Sequence, residues 1–250
     1  MLDGRVILVV GAGGLLGTAV VKALLAAGAT VAATDINQDG MTRRLGDIAE
    51  RKNVSLHTLD ISDKTKLAAF LDAHPNLDGA VNTSYPRNKN YGAHFFDVSL
   101  DDFNENLGMH LGAHFLFMQA CAARFVSAPH PFSLVNISSI YGEVTPKFDI
   151  YHNTPMTMPV EYAAIKSALV HLSKYTAAYV ADSRFRVNCV SPGGLLDGQP
   201  AAFLEAYKKH TFGAGMLSEQ DILGAILFLL SGHSAYINGQ NIIVDDGFSI

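Results

Sequence analysis

Cysteine is scarce in this chain: Cys121 and Cys189 are the only two in 250 residues, and they lie far apart. A chain of this length buries enough surface to fold without covalent staples, so the two read as free thiols in a reducing compartment, packed as small hydrophobes. Charge is thin too, at 16% of residues, and a net value of -5 gives neither nucleic acid nor an anionic membrane surface an electrostatic footing. Apolar runs long enough to span a bilayer as a helix are missing, the longest late one being 222–230. Near the N-terminus Asp3 precedes the only early positive charge and Lys22 interrupts the apolar stretch, so a signal peptide fits poorly and a cytoplasmic protein is expected. Linkers rich in Pro, Gly or Ser, internal repeats and low-complexity tracts are likewise absent, which argues for one domain over 1–250.

What the sequence has is apolar material, 49% of residues, arranged as short runs alternating with helical stretches. Residues 5–10 form a β-branched run ending in Gly-Ala-Gly-Gly, and 15–27 carry apolar residues at helical spacing as far as Gly28. Further strands are predicted at 29–34, 54–59, 79–82, 133–137, 186–190 and 240–244, and a long helix free of Pro and Gly at 162–180. Strands that are apolar throughout, rather than alternating, belong in a sheet covered on both faces. The expected fold is therefore α/β: a Rossmann-like, doubly wound, seven-stranded parallel sheet with helices on both faces, in a single domain. The segment 141–159, with three prolines, is long for a connection and reads as a lid or specificity element.

Two patterns carry chemistry. Gly11, Gly13, Gly14 and Gly17 fall between the first strand and first helix, where missing side chains let a pyrophosphate reach backbone N–H groups at the positive helix end. Such glycines can also be plain turn chemistry. Asp35 ends the second strand about 20 residues on, where a carboxylate accepts from both adenosine ribose hydroxyls and repels a 2'-phosphate. That favours NAD over NADP, and no Lys or Arg stands beside it in sequence. The second pattern is Glu161-Tyr162-Ala-Ala-Ile-Lys166, a phenol and an ammonium on one helical face. A phenol of pKa about 10 is a poor base near neutrality, and a neighbouring cation lowers that value. Alone, the pair reads more readily as a solvated surface pair than as a catalytic one.

Five segments occur together in order: 11–17, Leu77-Asp-Gly-Ala-Val-Asn82, Asn136-Ile-Ser-Ser139, 162–166 and Ser191-Pro-Gly-Gly194. With the ending 238–247 they make the chain resemble a short-chain dehydrogenase/reductase over essentially its whole length. The resemblance implies an NAD-dependent enzyme without a metal, acting on CH–OH groups of a small molecule and assembling as a homodimer or homotetramer. It implies that Ser139 holds the reacting oxygen, Tyr162 exchanges the proton and Lys166 holds the ribose and tunes the phenol. It also puts Leu16, Ile36, Asp60, Ile61, Asn82, Thr83, Pro192, Gly193 and Leu195 against the cofactor. Three positions depart from the family pattern. Leu15 replaces a glycine, leaving Gly11, Gly14 and Gly17 in the spacing of sugar-nucleotide-modifying members; His110 stands where a catalytic Asn is usual; Asp197 stands where a Thr often contacts the carboxamide.

The segments 83–91 and 150–160 resemble a narrower group from bacterial surface-sugar and flagellin-modification pathways, which implies an amino-sugar or nonulosonic-acid precursor as substrate. Both are expected to flank the cleft, and Tyr85, Arg87, Tyr151 and His152 suit a polyhydroxylated or anionic substrate. A 3-oxoacyl or small-alcohol/ketone reductase is one alternative. A non-catalytic nucleotide-binding module, suggested by His110 and Leu15, is the other.

Overall fold

The computed structural model describes every residue except Asn153, which lies within the segment 150–160 and so outside the described residues. Val6–Val10 (β1) places Ile7 and Val9 on one face of the sheet and Leu8 and Val10 on the other, and all four are buried. That two-sided burial is what a strand apolar at every position needs. Its parallel partners are Thr30–Asp35 (β2) and Gly79–Asn82 (β4), with Val9 opposite Ala33 and Val81. Val54–Thr58 (β3) pairs beyond β2, and Phe132–Ile137 (β5), Phe185–Pro192 (β6) and Asn241–Val244 (β7) continue the other edge. The order is β3-β2-β1-β4-β5-β6-β7, all parallel, as expected.

Helices cover both faces. Leu15–Ala26 (α1) and Gln220–Leu230 (α8) pack with Ile7, Val9 and Val190 on one side. Lys64–Ala73 (α3), Ala113–Ser127 (α5) and Val160–Val180 (α6) pack with Leu8, Val10 and Val187 on the other. Gln38–Leu45 (α2) follows β2, and its start is capped by Asn37, whose side chain accepts from the Gly40 N–H. Leu100–Asn106 (α4) runs through a π-helical turn, Leu107–Gly112, straight into α5. Ala201–Lys208 (α7) packs with the residues after β5 in a third, aromatic cluster that includes Tyr141, Tyr151, Phe203, Tyr207 and Phe248. Among the described residues, no helix is long and apolar enough to cross a membrane.

Strand order reverses between β1 and β4, and such a switch point opens a crevice beyond the C-terminal ends of the strands. Small differences from the expected boundaries have local causes. The helix expected from 162 begins at Val160, directly after Pro159. The sixth strand runs on to Pro192 because Ser191 and Pro192 find partners in Ile243 and Val244 of β7.

Candidate active site

The crevice is a cleft of about 840 Å³. At its floor, Gly11 has φ +76, a left-handed conformation that an L side chain rarely adopts. A Cβ on Gly17 would lie 2.1 Å from the Gly11 carbonyl oxygen, so only glycine lets the first turn of α1 sit this close to the end of β1. The Gly13 N–H donates to Asp35 Oδ2 at 3.0 Å and the Asn37 N–H to Asp35 Oδ1 at 3.0 Å. Each carboxylate oxygen keeps a lone pair for a ligand hydroxyl. Ile36, 70% exposed, and the buried Ile61 give the same end apolar walls. Asp60 Oδ1 accepts from the Ser62 N–H and hydroxyl, which aims its carboxylate. A cradle closed to any Cβ, a ribose-height carboxylate and an apolar slot together fit a dinucleotide.

Leu16, Thr83, Pro192, Gly193 and Leu195 also line the cleft. Asn82 does not: it is fully buried, and its Oδ1 accepts from the Ser84 N–H and hydroxyl. The Asn82 side chain therefore holds the turn at Ser84 and does not face the cleft, a correction to its expected place against the cofactor, while Thr83 and Ser84 line the cleft. Arg44 is a second correction. Nothing basic adjoins Asp35 in sequence, yet the winding of α2 brings Arg44 to the cleft wall, a proximity that only the helix creates.

At the other end stand Ser139, Tyr162 and Lys166. Lys166 is buried and donates from Nζ to the Ile137 carbonyl at 2.8 Å, leaving two N–H groups for a ligand. The ammonium lies 5.5 Å from the centroid of the Tyr162 ring and 5.7 Å from that of Tyr85. Burial brings the Lys166 pKa down to about 8. Burial also raises the Tyr162 phenol above its ordinary value, and the Ser139 hydroxyl beside it pulls the other way. In the chain by itself burial therefore sets the direction of the phenol's shift; the lowering expected from an ammonium and a positively charged nicotinamide ring acting together belongs to the cofactor-bound site.

His110 does not line the cleft. It is buried in the π-helical turn behind Tyr85, ring centroids 5.3 Å apart, and neither ring nitrogen has a partner among the described residues. The His114 ring is 5.0 Å further on; its Nδ1 meets the His110 carbonyl at 2.9 Å and its Nε2 is unpartnered among the described residues. Burial, reinforced by Lys166, drives both imidazoles to the neutral form, with His114 down to about 3. Direct substrate contact by His110 is thereby excluded in this geometry.

Tyr85 and Arg87 line the cleft, with the guanidinium 5.0 Å from the centroid of the Tyr85 ring. The Tyr85 hydroxyl donates to that of Tyr91 at 2.7 Å. Tyr151 and His152 are corrected. The chain turns at Phe148–Tyr151 so that the Tyr151 ring packs inward on Phe203, its hydroxyl 3.4 Å from that of Tyr141, while His152 points to solvent; neither reaches the cleft. Tyr141, Met158, Asp197 and Gln199 line it instead. The three-proline segment had signalled a cleft wall without telling which residues face inward.

Such a fold, with a glycine-lined dinucleotide cradle facing a Ser, Tyr and Lys, defines the oxidoreductases built on a single Rossmann-like sheet. A family profile described as enoyl-(acyl carrier protein) reductase matches residues 11–249. Post-translational flagellin modification protein A of Campylobacter coli is 35% identical over 258 residues, covering 100% of both chains. D-threitol dehydrogenase of Mycolicibacterium smegmatis is 29% identical over 264 residues, covering 100% of this chain and 94% of the relative. The crystal structure of a short chain dehydrogenase from Leptospira borgpetersenii with bound NAD+ matches with a TM-score of 0.88 at 27% identity, over 100% of this chain and 94% of that one. The chain belongs to the short-chain dehydrogenase/reductase family.

Proposed function

We propose that this chain is an NAD(H)-dependent oxidoreductase that acts on a carbinol or ketone carbon of a sugar or sugar phosphate, in the making of a surface polysaccharide or flagellin glycan. The observation that carries it is the convergence of Ser139, Tyr162 and Lys166 at one end of a cleft whose other end is the cradle of Gly11, Gly17 and Asp35. The single domain 1–250 then serves both binding and catalysis. When bound, NAD(H) supplies the ring that gives or takes the hydride. Asp35 holds the adenosine ribose and disfavours a 2'-phosphate. Lys166, with two free N–H groups, holds the second ribose. The Ser139 hydroxyl positions the reacting oxygen, and Tyr162 takes its proton in oxidation or returns it in reduction.

The substrate class rests on the polar wall of Tyr85, Arg87, Asp197 and Gln199. It is supported by the flagellin-modification and polyol-dehydrogenase names of two relatives. Assembly as a homodimer or homotetramer through α5 and α6 is supported by exposed Phe115, Tyr175 and Tyr179, the last two stacked 6.1 Å apart. A cytoplasmic location goes with a nicotinamide cofactor.

NADH absorbance, followed on a panel of sugar phosphates, amino sugars, polyols, 3-oxoacyl thioesters and simple ketones, tests this. Turnover is expected on the carbohydrate members, and Tyr162→Phe is expected to lower kcat by about 10²–10⁴ with NADH binding unchanged. Turnover confined to thioesters or simple ketones overturns the substrate class. Cofactor binding with no turnover at all, or a Tyr162→Phe variant as active as the parent, overturns the catalytic reading.

A further inference from the structure

A second cavity, of about 270 Å³, lies at the opposite end of the sheet. Arg5 precedes β1, Phe132 opens β5, Arg186 lies near the start of β6, and Ser231 follows α8, so the cavity sits at the N-terminal ends of the strands. Across the eight residues of β6, roughly 25 Å separates it from the cleft. Nothing in the proposed reaction uses it.

Its charge is unusual for its surroundings. Arg186 is 7% exposed and has no carboxylate partner among the described residues. Its Nη1 donates to Ser234 Oγ at 3.0 Å and the Ile237 carbonyl at 3.5 Å, and its Nη2 to the Ser231 carbonyl at 3.3 Å. All three acceptors are neutral, and Nε–H and the second Nη2–H find none among the described residues. Arg5 lies close enough for its charge to press on that of Arg186, and its own guanidinium makes no hydrogen bond or ion pair among the described residues. Arg184, also on the wall, is different: its Nε and Nη2 both grip Asp182, at 3.0 and 2.7 Å, so it adds little net charge. Buried charges in folded proteins are normally paired. Here a chain of net charge -5 places two unmatched guanidiniums on one small cavity.

We propose that this cavity is a second anion site, which takes the phosphate group of a small metabolite between Arg5 and Arg186. Guanidinium forks match the oxygen edges of phosphate, and Arg keeps its charge at every working pH. The volume lies just below the roughly 300–1,000 Å³ of sites for drug-sized ligands, which admits a phosphate or a short phosphate ester and excludes a nucleotide. An occupant would join β1, β6 and the turn after α8, and so stabilise the fold by mass action.

The experiment uses the full chain saturated with NADH, so that the glycine cradle cannot be the phosphate's address. Inorganic phosphate is titrated against chloride at constant ionic strength, by calorimetry and by thermal melting. Saturable binding at one site per chain with a rising Tm is expected. Arg5→Ala, at a half-buried position outside the cleft, is expected to weaken it tenfold or more and leave turnover unchanged; Arg186→Lys, which keeps charge and loses the fork, is expected to weaken it as well. The absence of saturable binding, or binding undiminished in Arg5→Ala, overturns the proposal. So does a phosphate-indifferent protein whose Arg5→Glu variant changes its sedimentation mass, since the occupant is then a carboxylate from a second copy.

Discussion

Lys166 shows how a single residue can be placed against its own comfort. Its pKa of about 8, brought down from 10.5 by burial, means that the folded chain releases a proton which the unfolded chain still holds. Between those values the unfolded state binds more protons, so stability rises with pH through that window, and at neutral pH the fold carries the cost of a buried ammonium. Lys166→Met removes the charge and leaves the Ile137 carbonyl unpartnered, a net gain of about 1–2 kcal/mol at pH 7 after the lost hydrogen bond is subtracted. Thermal melting should therefore show a Tm higher by several degrees in a variant whose turnover is abolished; a lower Tm would mean that the ammonium is not a burden. The pairing of Tyr162 with Lys166 is legible from spacing. The sign of the phenol's shift is not, because it depends on how completely water is excluded by residues distant in sequence, such as Tyr85.

At the scale of elements, the segment after β4 is strapped to α4, and α4 in turn to the helix that carries Tyr162. The Asn88 N–H donates to Asn106 Oδ1 at 2.9 Å, and Asn106 Nδ2 donates to Asn88 Oδ1 at 3.2 Å and to Glu161 Oε1 at 3.3 Å. Asn88 Nδ2 also reaches Asp102 and Glu105 of α4. Arg87 adjoins this strap, and Glu161 adjoins Tyr162. Asn106→Leu, of similar size, is expected to raise the substrate KM about tenfold and leave the NADH dissociation constant within twofold; steady-state kinetics beside a cofactor titration would check it, and equal losses in both would point to general unfolding. Strands are legible because they are short, wholly apolar runs, and the long α6 because no Pro or Gly interrupts it. The strap is invisible in sequence, since two asparagines 18 residues apart carry no pattern until a helix and a loop bring them together. Arg44 reached the cleft, and Tyr151 left it, for the same reason: helix phase and turn geometry decide the direction of a side chain.

For the molecule as a whole, the buried His110 and His114 set its tolerance of acid. Both are held neutral by burial in the fold, and His114 titrates at about 3, against an ordinary 6.5. Below pH 6.5 the unfolded chain takes up protons that the folded chain refuses, so stability falls as pH falls, by about 2 kcal/mol per histidine at pH 5. Urea unfolding between pH 7 and 5 should show this decline, and His114→Leu should remove about half of it; an unchanged slope would place the acid sensitivity elsewhere. The global architecture was the most legible level, because a parallel sheet covered on both faces follows from short, wholly apolar runs alternating with helical stretches, although the order of its strands does not. The partners of buried polar groups were the least, because they are set by packing between α5, α6 and the sheet.

The π-helical turn has a consequence for how α4 and α5 are joined. Residues Leu107–Gly112 spend one residue more than a regular helix would need to join α4 to α5. A deletion of one residue there would leave both flanks in phase, with Phe117, Cys121 and Phe125 still facing the core. Only the bulge would vanish, and with it the placement of the buried His110 behind Tyr85. The surplus residue thus goes into where His110 stands behind Tyr85, while the register of the core-facing side chains of α5 does not depend on it.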